Sequence, residues 1–314
     1  MATLSEDIRR RAGELGFTHC GIAAADALES ERDLLEQWLA RGYHAGMAWM
    51  QRDTVRRCDV REVLPGARSV VALAMNYHHP QQHGTDEHVG RISRYAWGDD
   101  YHRLIDERLR LLEEQIVRLA PDARTRRYVD TGPVLEKAWA VRAGIGWLGK
   151  NGNVLTRDYG SWVFLGVIIT DLELEIDTPI ADYCGSCTAC IEACPTEAIV
   201  RPGVVDANRC LSYITIEHRG EFTEAQRSLD FQAWLYGCDT CQDVCPWNSF
   251  AQPSPEAGFA PRPENIAPRL DEAARIGDEE FRARFAGSAV KRCKPEGFRR
   301  NARTLLAARE SNES

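Results

Sequence analysis

The sequence lacks several features that would assign it to a common class of protein. Its 314 residues contain no run of about 18 apolar residues, so no membrane-spanning helix is expected. Arg9, Arg10 and Arg11 could begin a twin-arginine export signal, but no apolar segment follows them. A charged face on an amphipathic first helix explains these arginines better, and we expect a cytoplasmic protein.

Basic residues are also scarce relative to acidic ones. The formal net charge of −8 argues weakly against an extended nucleic-acid surface. The balance is uneven, because residues 281–309 hold nine basic side chains and a single acidic one, Glu296. Such a segment can hold a phosphate backbone locally, although a solvated basic helix face is the simpler interpretation.

Three familiar motifs occur in the sequence, but each lacks either a residue or the structural context that it needs. Residues 143–152 read AGIGWLGKNG, which matches the G-x-G-x-x-G dinucleotide pattern and most of a P-loop. The dinucleotide pattern should follow a strand and open a helix, but a helix-like segment precedes it and a loop-like segment follows. The P-loop needs Ser or Thr after Lys150, and Asn151 stands there. The Asp-Thr-Gly of aspartic proteases begins at Asp130 and lacks the second copy that such chemistry needs.

Cysteines, in contrast, are abundant for a chain expected in a reducing compartment. Residues 184–195 read CGSCTACIEACP, the C-x2-C-x2-C-x3-C-P run of bacterial ferredoxins. A second set, CDTCQDVCP at 238–246, lacks the first cysteine of such a run, and Cys210 can supply it. The count closes at eight ligands, enough for two 4Fe-4S clusters.

In ferredoxins the fourth cysteine of each run ligates the other cluster. The first cluster is therefore predicted to use Cys184, Cys187, Cys190 and Cys245. The second cluster is predicted to use Cys194, Cys210, Cys238 and Cys241. Structural zinc is the alternative, since C-x2-C pairs also bind zinc, but zinc sites rarely use the four-cysteine run. Cys20, Cys58 and Cys293 are isolated and are interpreted as packing residues.

Hydrophobic patterning predicts an α+β chain in three segments. Apolar runs at 69–77 and 161–170 favour buried strands, and an amphipathic pattern at 100–120 favours a long helix. The predicted segments are an α+β domain at 1–176, a ferredoxin-like module at 177–250, and a loop with short basic helices at 251–314.

Four segments together resemble the epoxyqueuosine reductases, cobalamin-dependent iron–sulfur enzymes of tRNA queuosine maturation. They read SRYAWGDDYH (93–102), YVDTGPVLEKAWAVRAGIGWLGKNG (128–152), CGSCTACIEACPTEAI (184–199) and CLSYITIEHRG (210–220). The resemblance covers roughly residues 1–305. It implies that the first segment is a cobalamin-binding domain with a nitroreductase-like and reductive-dehalogenase-like α+β fold. Many longer members continue into a C-terminal helical-repeat domain, of which residues 296–314 resemble only the first helix.

The resemblance implies reduction of the epoxide of epoxyqueuosine in the tRNA anticodon loop to the cyclopentene of queuosine, the last step of queuosine biosynthesis. Electrons would pass through both 4Fe-4S clusters to cobalamin, and Asp130 would be the catalytic acid. Asp130 would then be protonated near neutral pH, as burial against the corrin favours. The alternatives are a reductive dehalogenase-like enzyme acting on a small substrate, and a non-catalytic ferredoxin-type protein, which would not need the first domain.

Further site residues follow from the resemblance and from position. The residues expected at the corrin are Arg57, Ser93, Tyr95, Asp130, Lys150, Asn151, Ser212, Gly237 and Cys238. The glycines of 143–152 are expected to let the backbone approach this flat cofactor. The residues expected at the tRNA are His218, Arg219, Arg299, Arg300 and Arg303. We also expect a monomer, no membrane contact, and an external low-potential electron donor of flavodoxin or ferredoxin type.

Overall fold

The computed structural model describes residues 3–313 of the chain. Its strands are β1 (His19–Ala24), β2 (Ser69–Asn76), β3 (Arg91–Ile92), β4 (Thr125–Tyr128), β5 (Trp147–Leu148), β6 (Val154–Leu155), β7 (Val163–Thr170), β8 (Ile199–Arg201), β9 (Val204–Val205) and β10 (Trp234–Tyr236). Its helices are α1 (Leu4–Glu14), α2 (Glu29–Ala40), α3 (Thr54–Cys58), α4 (Tyr101–Leu119), α5 (Glu136–Arg142), α6 (Ala189–Glu192), α7 (Leu211–Ile216), α8 (Glu224–Arg227), α9 (Thr240–Asp243), α10 (Pro263–Ile266), α11 (Leu270–Ala273), α12 (Asp278–Arg284) and α13 (Lys294–Glu313).

An antiparallel sheet with strand order β1-β2-β7-β4 organises the first half of the chain. Every residue of β2 is buried, because helices cover both faces of the sheet. Val70 and Ala72 pack into a core with α2 and α5, whereas Val71 and Leu73 pack into a core with α1 and α4. Successive side chains of a strand point to opposite faces of the sheet, so a strand covered on both faces is apolar throughout.

The strongest sequence patterns form the elements they predict. The runs at 69–77 and 161–170 become β2 and β7, and the amphipathic pattern at 100–120 becomes α4. Asp100 caps α4 by accepting a hydrogen bond from the main-chain N–H of His102 at 3.1 Å. The helix-like segment before the glycine-rich motif forms α5, which begins at Glu136, so the residues directly after Asp130 form a loop.

A third core joins residues from all three predicted segments. Trp97, Trp234 and Phe298 are each at most 1% exposed and belong to this one cluster. Strand β10 pairs in parallel with β3, and α13 packs against β10 and α7. The C-terminal helices are therefore part of the protein's interior, and they pack against both the cysteine-rich module and the first half of the chain. In the described part of the chain, no helix is both long and apolar enough to cross a membrane.

Candidate active site

The thiols of the first predicted ligand set lie together near the protein surface. Cys184, Cys187, Cys190 and Cys245 line one cavity of about 400 Å³. Burial and the neighbouring thiols, Cys245 before the others, raise the pKa of Cys190. The residues at 185–188 are all exposed, including Cys187 itself. We call these four cysteines the first thiol group.

The other four thiols form a second thiol group, deeper in the protein. Its members are Cys194, Cys210, Cys238 and Cys241. Burial raises the pKa of Cys241 well above its ordinary value, and the other three thiols raise it further. Each group takes one cysteine from the motif that supplies most of the other group, which is the exchange that the ferredoxin spacing predicts.

Two groups of four thiols suit two iron–sulfur clusters in their donor chemistry. Among residues 3–313, no three His, Cys, Asp or Glu side chains converge on one metal ion. A cubane does not need that convergence, because each of its thiolates binds a different iron atom. The thiols present therefore fit the two clusters that the sequence predicts.

Lys150 and Asn151 hold the two cysteine loops in place. Lys150 Nζ donates hydrogen bonds to the main-chain oxygens of Gly185 at 2.7 Å and Cys187 at 2.9 Å. Asn151 is buried, and its Nδ2 donates to the main-chain oxygen of Cys241 at 3.4 Å. In this structure both side chains therefore bind the cysteine loops, and their contact with a corrin stays a prediction.

The glycines of the 143–152 segment also serve packing within the chain. A Cβ atom on Gly146 would lie 2.1 Å from the main-chain oxygen of Leu155. One on Gly144, whose φ is +71°, would lie 2.6 Å from the oxygen of Thr178. At both glycines the close neighbour is backbone of this chain, which replaces our expectation that they approach a cofactor.

Asp130 occupies a tight turn between β4 and α5. Its φ of +59° lies in the left-handed region, and the Thr131 N–H donates to the Val129 oxygen at 2.6 Å across it. A non-glycine residue in this conformation costs on the order of 1 kcal/mol, and such strain is concentrated at functional sites. The Asp130 side chain is 63% exposed. The turn therefore presents a carboxylate to open space.

His102 lies between two carboxylates and bears the proton. Its Nε2 is 3.0 Å from Asp130 Oδ2, and its Nδ1 is 2.7 Å from Asp100 Oδ1. Burial alone would lower the pKa of His102, but the two carboxylates outweigh it and raise the pKa to about 9. The hydrogen bond from His102 lowers the pKa of Asp130. Without a corrin the pKa of Asp130 is thus lowered, and a raised pKa through burial against the corrin stays a prediction.

Asp130 and the second thiol group both lie near Lys137, in a region that we call the central recess. The charge of Asp130 acts on Tyr95 and on Lys137, and the thiols of Cys241 and Cys210 also act on Lys137. Groups from the first half of the chain and from the cysteine-rich module therefore meet in this region.

Glu136 is a second carboxyl group in the wall of this recess. Its Oε1 is buried and has no hydrogen-bond partner among the described residues. Burial, and then the charge of Asp130, raise the pKa of Glu136 to about 7. An unpaired buried oxygen beside a strained turn is uncommon in a native protein and is consistent with a polar ligand at this position.

Two of the residues expected at the corrin are used to join the two halves of the chain. Ser93 is buried, and its Oγ donates to Asp239 Oδ1 at 2.5 Å. Gly237 is buried with a φ of +69°, and a Cβ atom there would lie 2.5 Å from the Cβ of Ser93. Ser93 therefore has a structural partner in Asp239, and its contact with a corrin stays a prediction.

Four other expected corrin residues keep partial exposure. Tyr95, Arg57, Ser212 and Cys238 are all intermediate in burial. The charge of Arg57 acts on Glu136, which places Arg57 near the recess. These four residues remain candidates for contact with a cofactor.

Arg300 is a core residue and is corrected as a tRNA contact. It is 4% exposed, and its Nη1 donates to the main-chain oxygens of Gly220 at 2.7 Å and His218 at 3.1 Å. Its guanidinium carbon lies 4.0 Å from the centre of the Phe222 ring. These contacts leave the side chain no surface to offer a phosphate.

The other expected tRNA residues lie nearer to solvent. Arg299 pairs with Asp278 at 2.7 Å, and Arg219 donates to the main-chain oxygen of Arg292 at 2.9 Å. His218 Nε2 is 3.2 Å from a main-chain oxygen, that of Glu221. Arg303 is exposed on α13. Within the basic segment 281–309, Arg299 and Arg300 therefore already have partners inside the protein, whereas Arg303 is exposed.

Sequence reasoning missed His102, Glu136 and Lys137. His102 lies within the SRYAWGDDYH segment, and the other two lie within the segment that contains Asp130, but no spacing rule marks them. His102 and Asp130 are 28 positions apart, and only the tertiary fold brings them together.

Comparison with known proteins identifies the family. A family model described as "Epoxyqueuosine reductase QueG, DUF1730" matches residues 57–131, and one described as "4Fe-4S double cluster binding domain" matches residues 183–248. An epoxyqueuosine reductase of Synechocystis sp. is 49% identical over 289 residues, which are 91% of this chain and 99% of that protein.

Two solved structures agree with this assignment. An epoxyqueuosine reductase crystallised with an epoxyqueuosine-modified tRNA-Tyr stem loop has a TM-score of 0.91 and 36% identity, covering 97% of this chain and 81% of that one. The Bacillus subtilis enzyme, with its catalytic loop swung out of the active site, has a TM-score of 0.90 and 35% identity at the same coverage. The predicted α+β fold and double-cluster module are confirmed. The chain belongs to the epoxyqueuosine reductase family.

Proposed function

We propose that this protein reduces the epoxide of epoxyqueuosine in the anticodon loop of tRNA to the cyclopentene of queuosine. The observation that carries the proposal is the His102–Asp130 pair, held at a strained turn in the same region as the second thiol group. A proton source and an electron source at one site are what this reduction needs. Family membership gives the substrate.

The reaction consumes two electrons and two protons, because the epoxide oxygen leaves as water and an alkene remains. The 4Fe-4S clusters, which the two thiol groups would hold, pass single electrons. Cobalamin, when bound in the central recess, supplies a cobalt centre that can collect single electrons for a two-electron reduction. The protein's own residues orient the substrate and hold the proton.

Proton delivery is assigned to His102 and Asp130 acting together. With a pKa of about 9, His102 is charged at neutral pH and donates a hydrogen bond to the exposed Asp130 carboxylate. His102 transfers its proton to the Asp130 carboxylate, and Asp130 passes it to the departing epoxide oxygen. Asp100, on the other ring nitrogen, fixes the orientation of the imidazole.

Cofactor contacts are assigned by proximity to the recess. Tyr95, Arg57 and Ser212 would border cobalamin, together with the main chain of Gly237 and Cys238. The lower exposure of the second thiol group supports its assignment as the cluster next to cobalamin. The exposed first thiol group would meet an external low-potential donor of flavodoxin or ferredoxin type.

The remaining assignments concern the tRNA and the organisation of the chain. We assign tRNA contact to His218, Arg219 and Arg303, with Arg299 available only if its ion pair with Asp278 opens. The domain limits at 176/177 and 250/251, a monomeric state and a cytoplasmic location complete the proposal. Exposure of Arg219 and Arg303 supports the tRNA assignment.

The proposal is tested with protein purified and reconstituted anaerobically with iron, sulfide and cobalamin. We expect a bound corrin spectrum and conversion of an epoxyqueuosine-modified stem loop. Asp130→Asn should keep cluster and corrin spectra but lose at least a hundredfold in turnover. Asp122→Asn, an exposed carboxylate at the far end of α4, is the control and should remain active. Wild-type turnover by Asp130→Asn, or reduction of a haloalkene in place of the stem loop, would contradict the proposal.

A further inference from the structure

Lys137 is bonded to Gly152, next to Asn151, whose side chain donates a hydrogen bond to the main-chain oxygen of Cys241 in the second thiol group. It has no part in the function proposed above. It lies in the first turn of α5, seven positions after Asp130. Its Nζ donates hydrogen bonds to the main-chain oxygen of Gly152 at 2.8 Å and to Asn153 Oδ1 at 3.1 Å. Two bonds to the end of the glycine-rich segment hold the amino group in one place.

Several ionisable groups act on the amino group of Lys137. Burial lowers the pKa of Lys137, and Asp130, Cys241, Cys210 and Glu136 oppose this in that order. Two of these four groups belong to the second thiol group, and a third is the proton-delivering carboxylate. Lys137 is therefore within electrostatic range of both the electron source and the proton source at the recess.

A second lysine, Lys150, lies at the first thiol group, and it differs from Lys137 in the groups that it binds. Lys150 binds the main-chain oxygens of Gly185 and Cys187, so it is bonded directly to the loop that carries the first group. Lys137 is bonded instead to the glycine-rich segment, and it acts on the second group through space. Lys150 is thus a natural control for Lys137.

We propose that Lys137 is a positioning residue that raises the reduction potential of the cluster held by Cys194, Cys210, Cys238 and Cys241. The inference rests on the two clusters of the proposed function. Reduction adds one negative charge to a cluster, and a fixed cation nearby stabilises that added charge. Net charge around a cluster is one of the factors that set its potential. A raised potential draws electrons from the first cluster towards the recess.

The test is a redox titration followed by EPR, on anaerobically reconstituted protein without cobalamin or tRNA. In Lys137→Met, one cluster should become harder to reduce, with about a tenfold lower ratio of reduced to oxidised cluster at a fixed potential. For a one-electron couple this equals about 59 mV. The other cluster should be unshifted, and Lys137→Arg should restore the wild-type potential. Lys150→Met should shift only the cluster that Lys137→Met leaves alone.

Turnover of the holoenzyme provides a second measurement. Lys137→Met should lower kcat for the modified stem loop while KM stays near wild type, and Lys137→Arg should recover kcat. Unshifted potentials for both clusters in Lys137→Met with full iron content would overturn the proposal. So would loss of the second cluster's iron in both Lys137→Met and Lys137→Gln, since Lys137 would then be structural. Because the titration uses no substrate, its result is independent of whether the proposed epoxide reduction is correct.

Discussion

The two thiol groups have the same chemistry but opposite surroundings. The first group lines an open cavity, and its Cys187 is exposed with its neighbours. The second group is flanked by buried residues, among them Leu211, Gly237 and Asp239, and it borders the recess that contains Asp130. Identical ligands can therefore serve as an electron entrance or as an electron exit, and their position in the fold decides which.

The exchange of cysteines between the groups gives the largest predicted effect. Cys245→Ala lies in the second motif but should remove the first cluster, whereas Cys194→Ala should remove the second. Each variant should lose about half of its iron and all turnover, because electron transfer requires both clusters. Iron and sulfide analysis with EPR measures this, and Cys20→Ala is the control that keeps all iron. Loss of the second cluster from Cys245→Ala would break the assignment.

Replacement of His102, the proposed proton source for Asp130, should have the next largest effect. His102→Gln should lower turnover about a hundredfold at pH 7, because Asp130 loses its proton supply. Wild-type turnover needs charged His102, so it should fall as pH rises through about 9. A pH–rate profile of both proteins measures this, and His102→Gln should lack that fall. His88→Gln, an exposed histidine, is the control. An unchanged profile in His102→Gln would exclude the relay.

Glu136, near the central recess, should make the stability of the protein depend on pH. Its pKa is raised from 4.5 to about 7, so its stabilising contribution is complete below about pH 4.5 and is lost as pH rises through about 7. Glu136→Gln should therefore gain on the order of 2 kcal/mol relative to wild type between pH 5 and pH 8. Thermal unfolding across this range measures the difference. The exposed Glu192, beside the first group, is the control.

Reversal of exposed charge should have the smallest effect. Lys291, Lys294 and Arg303 are exposed in the basic segment, unlike Arg300. Changing all three to Glu should weaken stem-loop binding about tenfold at low salt and reduce its salt dependence, with cluster content unchanged. Arg118→Glu, at the far end of α4, is the control. Equal affinity of the triple variant and wild type would remove this surface from the tRNA interface.

Local patterns in the sequence predicted much of the fold and all eight cysteines of the two groups. The apolar run that became β2 and the amphipathic run that became α4 carry strong periodicity, and the cysteine spacing is set by short-range geometry. The exact start of α5 is not marked in the sequence, because Pro133 suits a loop as well as a first turn. The internal partners of Ser93, Lys150 and Asn151 are not marked either, because those partners lie far away in the chain.

The sequence by itself determined which groups are present: the thiols, their order along the chain, the Asp130 turn and the apolar runs of the sheet. Only the tertiary structure decided how they are used. The sequence shows Arg300 only as one of nine basic residues, and packing against Phe222 makes it a core residue. His102 contacts Asp130 only because folding brings the two together. The physical reason is that spacing controls contacts within a few residues, whereas burial and electrostatics depend on residues far apart in the chain.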